Sequence, residues 1–175
     1  KKSSTVRHRL NTIGTVPTAL ADEIGLVGMA ARACGLERDT RSELRGGAYR
    51  DHPIPMVVET TGDCMARGLI RIHEIDVSLA WINQAIDRLP DVDSDPLLLS
   101  EPRANMSVVS LEEGWRGEVM HHIQTDESGK IFHYKLQDPS IRNWFGLAQA
   151  VKNNAIYDFP ICNKSFDLSY CGNDL

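Results

Sequence analysis

Residues 62–89 read GDCMARGLIRIHEIDVSLAWINQAIDRL, and this stretch decides the fold. Its apolar residues recur at steps of three and four, as on one face of an α-helix. The residues of this apolar face are Met65, Leu69, Ile72, Ile75, Leu79, Ile82, Ile86 and Leu89. A helix of this length extends for about 40 Å, which is long enough to organise a bundle of shorter helices.

The two ends of this helix have signals of their own. Thr61 is the predicted N-cap, Asp63 suits the positive end of the helix dipole, and Pro90 ends the helix. The face opposite the apolar one is charged, which predicts a solvated surface with local ion pairs. That face carries Arg67, Arg71, Glu74, Asn83 and Arg88.

Upstream, residues 17–35 also follow a helical pattern. Pro17 suits the first turn of a helix. Gly25 and Gly28 interrupt the pattern, at a cost of about 1 kcal/mol each in helix propensity. Either the helix breaks there or another backbone packs closely against it. Residues 36–60 carry charges, two adjacent glycines and two prolines, and therefore predict a loop.

Downstream, the pattern changes from helix to strand. Residues 91–104 hold acidic residues and prolines and predict a surface loop. Three short β-prone segments follow at Asn105–Leu111, Gly117–Gln124 and Lys130–Gln137. Residues 126–129 suit a hairpin loop between the last two of them. These segments predict a small antiparallel meander.

The helical period returns after Pro139 and gives a C-terminal helix, which is followed by a tail predicted to be irregular. This order of elements predicts an α+β fold. We expect a helical bundle around one long helix at about 62–89, with a small three-stranded antiparallel sheet at about 105–137 and the C-terminal helix. The chain begins without Met, so residues 1–175 are interpreted as one truncated domain of a longer protein.

The bulk composition is typical of a globular protein. Of the 175 residues, 42% are hydrophobic and 25% are charged, which excludes a disordered chain. The net charge of −5 argues against nucleic acid as a partner, because phosphate binding requires a surplus of Lys and Arg. No apolar run reaches the roughly 18–20 residues of a transmembrane helix, and the start lacks the apolar core of a signal peptide.

Short motifs point to no particular chemistry. The sequence contains no glycine-rich phosphate loop, no H-E-x-x-H pair and no G-x-S-x-G elbow. His121 and His122 lie on a predicted strand, so their side chains point to opposite faces and cannot form one ligand pair. The cysteines form no C-x-x-C pair, which predicts reduced thiols rather than a metal site held by this chain alone. They are Cys34, Cys64, Cys162 and Cys171.

Longer strings of residues are more informative, and the first two lie in the N-terminal half. One string has R-A-C-G at 32–35 and D-x-R at 39–41, followed by Tyr49. It is similar to a family pattern R-A-S-G…D-x-R…Y, with cysteine in place of serine. The other, at 62–74, has the form G-D-x-x-x-R-x-x-x-R-x-x-E of that family's helix start.

Three further strings follow in the same order. They are E-G-W-R-G-E at 113–118, the turn at 126–129 and P-S-x-x-N at 139–143. Together the strings resemble the C-terminal portion of the large subunit shared by membrane-associated nickel–iron hydrogenases and the 49 kDa-type subunit of respiratory NADH:quinone oxidoreductase. The tail resembles most the membrane-bound branch that includes formate hydrogenlyase subunit 5. The resemblance implies a hydrogenase large-subunit-like fold.

The tail resembles the run that leads into D-P-C-x-x-C in membrane-bound hydrogenases. In that register Leu168 stands at the proline, Ser169 at the first metal cysteine and Gly172 at the second, while Cys171 is one residue out of register. Nickel and iron are held by thiolates at a fixed spacing. The resemblance therefore implies that this chain binds no metal and holds no nickel–iron centre. The residues expected to border the vacated cavity are Asp167, Ser169, Gly172 and Asp174.

Charged residues of the matching strings are the other candidates. Arg32, Asp39 and Arg41 are expected to form an ion-pair network at a cleft or at a partner interface. The alternative is a purely architectural role, which buried Arg–Asp pairs often have. The charged residues of 113–118 are interpreted as part of the hairpin structure.

The resemblance implies a large-subunit component of a membrane-attached, multi-subunit oxidoreductase of the hydrogenase, formate hydrogenlyase or NADH:quinone oxidoreductase kind. Without nickel, it would transfer electrons, or couple them to a quinone or to ion translocation, in a complex with NAD- and quinone-linked electron transport. Two alternatives stay open. One is a scaffold domain without a reactive site, and the other is a true nickel–iron hydrogenase with unusual ligands.

The same resemblance implies partners and a location. The expected partners are an iron–sulfur small subunit that carries the cluster, membrane subunits of the complex and a quinone; nucleic acid is not expected. The expected location is cytoplasmic, peripheral to the inner face of the cytoplasmic membrane. The apolar face of the long helix is expected to be covered by self-association or to remain as an exposed patch.

Overall fold

A computed structural model describes residues 4–89 and 101–173 of the chain. The predicted α+β class is confirmed, with short helices around one long helix and a three-stranded antiparallel sheet in the order β1-β2-β3. The helices are α1 (Ser4–Leu10), α2 (Thr18–Glu23), α3 (Gly28–Arg32), α4 (Thr40–Glu43), α5 (Cys64–Ile86), α6 (Ser140–Ala150) and α7 (Phe159–Phe166). The strands are β1 (Ser107–Gly114), β2 (Gly117–Thr125) and β3 (Ile131–Gln137).

The long helix α5 begins two residues later than its predicted N-cap implies. Asp63, rather than Thr61, is the N-cap, and its carboxylate accepts a hydrogen bond from the Ala66 N–H at 2.8 Å. Thr61 donates its hydroxyl to the same carboxylate at 3.0 Å and so supports the cap. The helix ends at Ile86, and Pro90, the predicted terminator, lies outside the described residues.

The prediction of which side of α5 faces solvent was wrong over its first three turns. Arg67 is completely buried, whereas Ile72 is 57% exposed and Leu79 is also 57% exposed. The helical period was right, but α3 and α7 pack against the side that carries Arg67 and Glu74. Further along, the charged face is exposed as expected, and the apolar face is exposed as well.

Both expectations for the glycines of 17–35 are met, each at a different position. At Gly25 the chain breaks between α2 and α3, with φ of +71°. At Gly28, where φ is +60°, the backbone comes into close contact with the backbone of Gly117. A side chain at position 28 would overlap that strand, so glycine is what allows α3 to support the β1–β2 hairpin.

Two segments predicted to be irregular contain helices. Residues 36–60 include α4, which Asp39 caps by accepting the Arg41 N–H at 3.0 Å, and a 3₁₀ turn at Gly47–Tyr49. The tail contains α7, with Pro160 in its first turn. Of the predicted surface loop at 91–104, residues 91–100 lie outside the described residues.

The sheet is a meander with tight connections. Gly114 pairs with Gly117 at the β1–β2 turn, and Ser107 pairs with Gln124 at the other end of the two strands. The predicted hairpin loop between β2 and β3 is present, and the Asp126 carboxylate accepts the Ser128 N–H at 2.8 Å. The end of the sheet that carries the β2–β3 loop is largely exposed, whereas the β1–β2 turn at the other end contacts the helices at Gly28.

One main core joins the helices. It consists of Val16, Ala21, Leu26, Ala30, Ala31, Cys34, Cys64, Leu147, Ala150, Cys162, Phe166 and Leu168. These residues come from α2, α3, α5, α6 and α7 and the segments beside them, so the C-terminal segment is an integral part of the core. Within the described residues, no helix combines the length and the apolar character needed to cross a membrane.

Candidate functional site

A buried group of charged side chains lies where α3, α4, α5 and β1 meet. Arg32, only 2% exposed, is at its centre. Its guanidinium contacts Asp39 at 3.4 Å, Glu74 at 2.7 Å and Glu113 at 2.8 Å. Arg41 belongs to the same group through Asp39 and Glu74. We call these five residues the arginine–carboxylate cluster.

Arg41 and Asp39 form the closest pair of this cluster. The Arg41 guanidinium donates two hydrogen bonds to the Asp39 carboxylate, Nε to Oδ1 at 2.9 Å and Nη2 to Oδ2 at 2.6 Å. Burial by itself would raise the pKa of Asp39, but the hydrogen bonds from Arg41 and the charges of Arg32 and Arg41 outweigh it. The pKa of Asp39 therefore lies below its ordinary value, and the carboxylate is charged at neutral pH.

Glu113 is in a different electrostatic environment. Burial raises its pKa, and the charge and hydrogen bond of Arg32 only partly offset that effect. Its second oxygen accepts from the Thr40 N–H at 3.2 Å. Glu113 thus fixes β1 to both α3 and α4, which is more than the local hairpin role interpreted from the sequence.

Two open pockets flank Glu113. One, of about 230 Å³, is lined by Asp39, Thr40 and Glu43 together with residues of β2 and α6. The other, of about 330 Å³, lies between α5 and the β1–β2 turn and includes Arg71 and Trp115 in its lining. Glu113 lines both, so the cluster lies between the two pockets.

The end of α7 is held to α5 and to the hairpin by arginines. Arg71 donates to the carbonyl oxygens of Ser165 at 2.6 Å and Phe166 at 3.1 Å, and Arg116 donates to that of Asp167. These are carbonyls at the C-terminus of a helix, where positive side chains are favoured. Sequence reasoning assigned no such role to Arg71.

Asp167 ends α7 with φ of +56° and has several partners. Its carboxylate contacts Lys164 at 2.5 Å and accepts from Trp115 Nε1 at 3.3 Å. The hydrogen bond from Lys164 is the main cause that lowers the pKa of Asp167. Trp115 also lines the larger pocket, together with residues of the arginine–carboxylate cluster. Its side chain therefore lies between Asp167 and that cluster.

Ser169 and Gly172 contact each other and the start of α6. The Ser169 hydroxyl accepts the Gly172 N–H at 2.9 Å, and the Ser169 N–H donates to the Ser140 hydroxyl at 3.0 Å. Asp138 accepts the Ser140 N–H at 2.7 Å, and a side chain on Gly172 would lie 2.5 Å from the same carboxylate. Asp174, the fourth cavity candidate, lies outside the described residues.

These positions do not fit the donor set of a nickel–iron centre. Such a centre needs soft thiolates, but Ser169 offers a hydroxyl that is already hydrogen-bonded and Gly172 has no side chain. The thiol of Cys171, between them in sequence, is exposed. The Asp138 carboxylate occupies the space that a ligand side chain at position 172 would need.

Replacing Gly172 with alanine is expected to lower the free energy of unfolding by about 1–2 kcal/mol. The new methyl group would displace the Asp138 carboxylate from its hydrogen bond at the start of α6. Urea denaturation measures the change. Gly46→Ala is the control, because a Cβ there meets no atom within 4 Å; equal effects at the two positions would contradict the packing.

Comparison with known sequences now adds to this geometry. The sequence model of the family described as "Respiratory-chain NADH dehydrogenase, 49 Kd subunit" matches residues 1–107. The chain belongs to this family. The matched range supplies Arg32, Asp39, Arg41 and Glu74 of the cluster, whereas Glu113 lies just beyond it.

Curated relatives of this chain are named as subunits of three kinds of enzyme. It is 29% identical to the membrane-bound hydrogenase subunit alpha of Pyrococcus furiosus, over 94% of this chain and 42% of that protein. It is 28% identical to an NADH-quinone oxidoreductase subunit of Syntrophobacter fumaroxidans, over 92% and 44%. It is 26% identical to formate hydrogenlyase subunit 5 of Escherichia coli, over 97% and 30%. The chain thus spans less than half the length of these relatives.

The structure brings the predicted site residues together in two groups. Arg32, Asp39 and Arg41 are in direct contact in the cluster, and their place at a cleft or an interface of a complex stays a prediction. Asp167, Ser169 and Gly172 follow α7 on the side of α6 and the hairpin. The cluster partners Glu74 and Glu113 were missed, although both stand in the family strings.

Replacing Asp39 with asparagine is expected to lower the free energy of unfolding at pH 7 by about 2–3 kcal/mol, because Arg41 and Arg32 lose a buried counter-ion. Asparagine keeps the cap of α4, so the change isolates the charge. The folded-state pKa of Asp39 lies below its unfolded value of about 3.9. The stabilisation is therefore present above that value and is lost as the pH falls through the folded pKa.

The measurement is urea denaturation of both proteins between pH 7 and pH 2.5. The difference in stability between the wild type and Asp39→Asn should shrink at the acid end, while Glu113, with its raised pKa, contributes in the opposite direction in both proteins. A difference independent of pH would show that the charge of Asp39 is not what stabilises the cluster.

Proposed function

We propose that this chain is part of the large subunit of a membrane-attached, multi-subunit oxidoreductase, in which it works without a nickel–iron centre. It contributes to electron transfer, or to coupling with a quinone or with ion translocation. The observation that carries the proposal is the segment after α7, where Ser169 and Gly172 stand at the positions that the resemblance assigns to thiolates and Asp138 fills the space beside Gly172. Membership of the 49 kDa family supports the kind of complex.

The relatives support the expected partners. They are named as subunits of a membrane-bound hydrogenase, of a formate hydrogenlyase and of NADH-quinone oxidoreductases, all of which are assemblies of several chains. We infer an iron–sulfur small subunit that holds the cluster, membrane subunits, a quinone as acceptor and a peripheral place at the cytoplasmic face of the membrane. The exposed apolar residues of α5 are compatible with a subunit interface.

Elemental analysis of the full-length subunit, purified with its small partner, tests the metal part of this proposal. The expected result is iron in a stoichiometric amount with nickel at background level. Stoichiometric nickel would overturn the proposal and favour a hydrogenase with unusual ligands. The relative from Pyrococcus furiosus, purified in the same way, provides a control from a protein named as a hydrogenase.

Charge reversal at Asp167 separates an active site from a scaffold. Asp167→Lys would place like charges beside Lys164 and Arg116, close to the positions that the resemblance assigns to metal ligands. In the assembled complex we expect electron transfer to fall while the subunits stay together. Glu127→Lys, in the exposed β2–β3 loop, is the matched control. Unchanged electron transfer in an intact complex would favour the scaffold alternative.

A further inference from the structure

Two buried cysteines from distant parts of the chain meet beneath Gly14. Cys64 is the first residue of α5, Cys162 lies in α7, and they are 1% and 0% exposed. A Cβ built on Gly14 would lie 2.5 Å from the Cys162 sulfur and 3.3 Å from the Cys64 sulfur. Both sulfurs therefore face the same point beside Gly14.

The surroundings make the two sulfurs chemically different. The guanidinium of Arg67 lies 3.4 Å from the Cys64 sulfur, and Cys64 stands at the positive end of α5. The hydrogen bond from Cys162, followed by those of Ser165 and Arg67, lowers the pKa of Cys64 to about 6 despite its burial. The same contact, together with burial, raises the pKa of Cys162. The pair thus combines a thiolate with a neighbouring thiol.

A small molecule can come close to Cys162, whose sulfur faces the same point as that of Cys64. An open pocket of about 300 Å³ lies between the end of α6 and the start of α7, and Cys162 is part of its lining. The other lining residues are Val151, Asn154, Ala155, Ile156 and Phe159. A molecule of the size of hydrogen peroxide fits this pocket easily, whereas a peptide thiol or a protein disulfide cannot reach sulfurs so deeply buried.

We propose that Cys64 and Cys162 form a redox-modification site, at which hydrogen peroxide converts two thiols into a disulfide that links α5 to α7. The Cys64 thiolate attacks one peroxide oxygen, the O–O bond breaks, and the released hydroxide takes a proton to become water. The Cys162 sulfur then attacks the Cys64 sulfenic acid, the S–O bond breaks, and the hydroxide leaves as water with the Cys162 proton. One peroxide is reduced to two waters as the two thiols are oxidised.

The bond would have a large effect on the chain. It closes a loop of about 100 residues, for which loop-closure entropy gives a stabilisation that corresponds to a rise in Tm of about 10 °C. It also removes the thiolate beside Arg67. The start of α5 would then be joined covalently to α7, which leads into the segment that carries the candidate cavity residues.

The test is peroxide treatment of the full chain carrying Cys171→Ser, which removes the exposed thiol that would consume the oxidant. Remaining thiols are blocked by alkylation in denaturant, and a digest without reductant is analysed by mass spectrometry. The expected product is a Cys64–Cys162 peptide pair lacking two hydrogen atoms, together with the rise in Tm, both reversed by dithiothreitol. In Cys64→Ser and Cys162→Ser the pair and the shift should be absent.

Three outcomes would overturn the proposal. Complete alkylation of both cysteines after peroxide would show that they do not react. A bridge to Cys34, which shares the core with them, would assign the site to another pair. Sulfinic acid at Cys64 with Cys162 still free would show that the sulfurs cannot approach to bonding distance.

Discussion

Replacing Arg67 with methionine is expected to lower the free energy of unfolding by about 4 kcal/mol. Arg67 is completely buried and donates to the carbonyl oxygens of Gly62 at 2.8 Å and Gly14 at 2.9 Å. It also donates to the Ser165 hydroxyl at 2.8 Å, and its guanidinium lies 4.1 Å from the centre of the Phe166 ring. Methionine keeps the apolar contact but removes the donor of the Gly14 carbonyl and of the Ser165 hydroxyl, while the Gly62 carbonyl keeps only the Val16 N–H at 3.0 Å.

Urea denaturation at pH 7 measures this loss. The matched control is Arg88→Met in the turn that follows α5, where the arginine is exposed and contacts His52 at 2.9 Å. There we expect a change within about 0.5 kcal/mol. A loss below about 1 kcal/mol at position 67 would mean that water replaces the guanidinium, and the buried arginine would not be what holds α5, α7 and the N-terminal segment together.

Replacing Gly28 with alanine is expected to lower the free energy of unfolding by about 3 kcal/mol or more. A loss of this size comes from displacement of the backbone rather than from helix propensity. The residue has φ of +60°, which is unfavourable for alanine. Its Cβ would lie 2.6 Å from the amide nitrogen of Gly117 and 2.7 Å from the carbonyl oxygen of Arg116. Neither backbone atom can move unless the whole β1–β2 turn shifts.

Gly68→Ala is the matched control for this change. Position 68 lies inside α5, and a Cβ there meets no atom within 4 Å. Alanine should stabilise that helix by about 0.5–1 kcal/mol. Thermal and urea denaturation of both variants measure the contrast. If both alanines stabilised the protein, the close approach of α3 to the hairpin would be wrong.

Much of the architecture could be predicted from local sequence. The long helix, the three strands and the helix after Pro139 each carry their own periodicity or turn residues, because hydrophobic spacing reflects the geometry of one element. The predictions failed where the signal is not local. The short helix α7 was missed, and Thr61 was chosen over Asp63 as the cap of α5, since both residues are good caps and packing decides between them.

The residues of the candidate site also divide into those that the local sequence indicated and those that it did not. The family strings indicated Arg32, Asp39 and Arg41 from residues close in sequence. Glu113, 81 residues from Arg32, could not be assigned as its partner, because ion pairs between distant elements leave no periodicity in the sequence. The contact of Cys64 with Cys162 has the same character. Each was visible as a residue, but only the packing of α5 against α7 places them together.

The sequence by itself determined the α+β class and the approximate extent of α5, because these depend on residue identity and on spacing along the chain. The correspondence of Ser169 and Gly172 to metal-binding cysteines stays a prediction from the resemblance. The tertiary structure decided which side of α5 is buried. A helical period defines a face but not its neighbour, and here α7 accepts a hydrogen bond from Arg67 and α3 forms an ion pair with Glu74, while the predicted apolar face is exposed from Ile72 onward. The buried guanidinium of Arg67 finds its hydrogen-bond acceptors in the neighbouring segments, whereas an exposed isoleucine costs comparatively little, so the side of α5 that carries Arg67 took the core position.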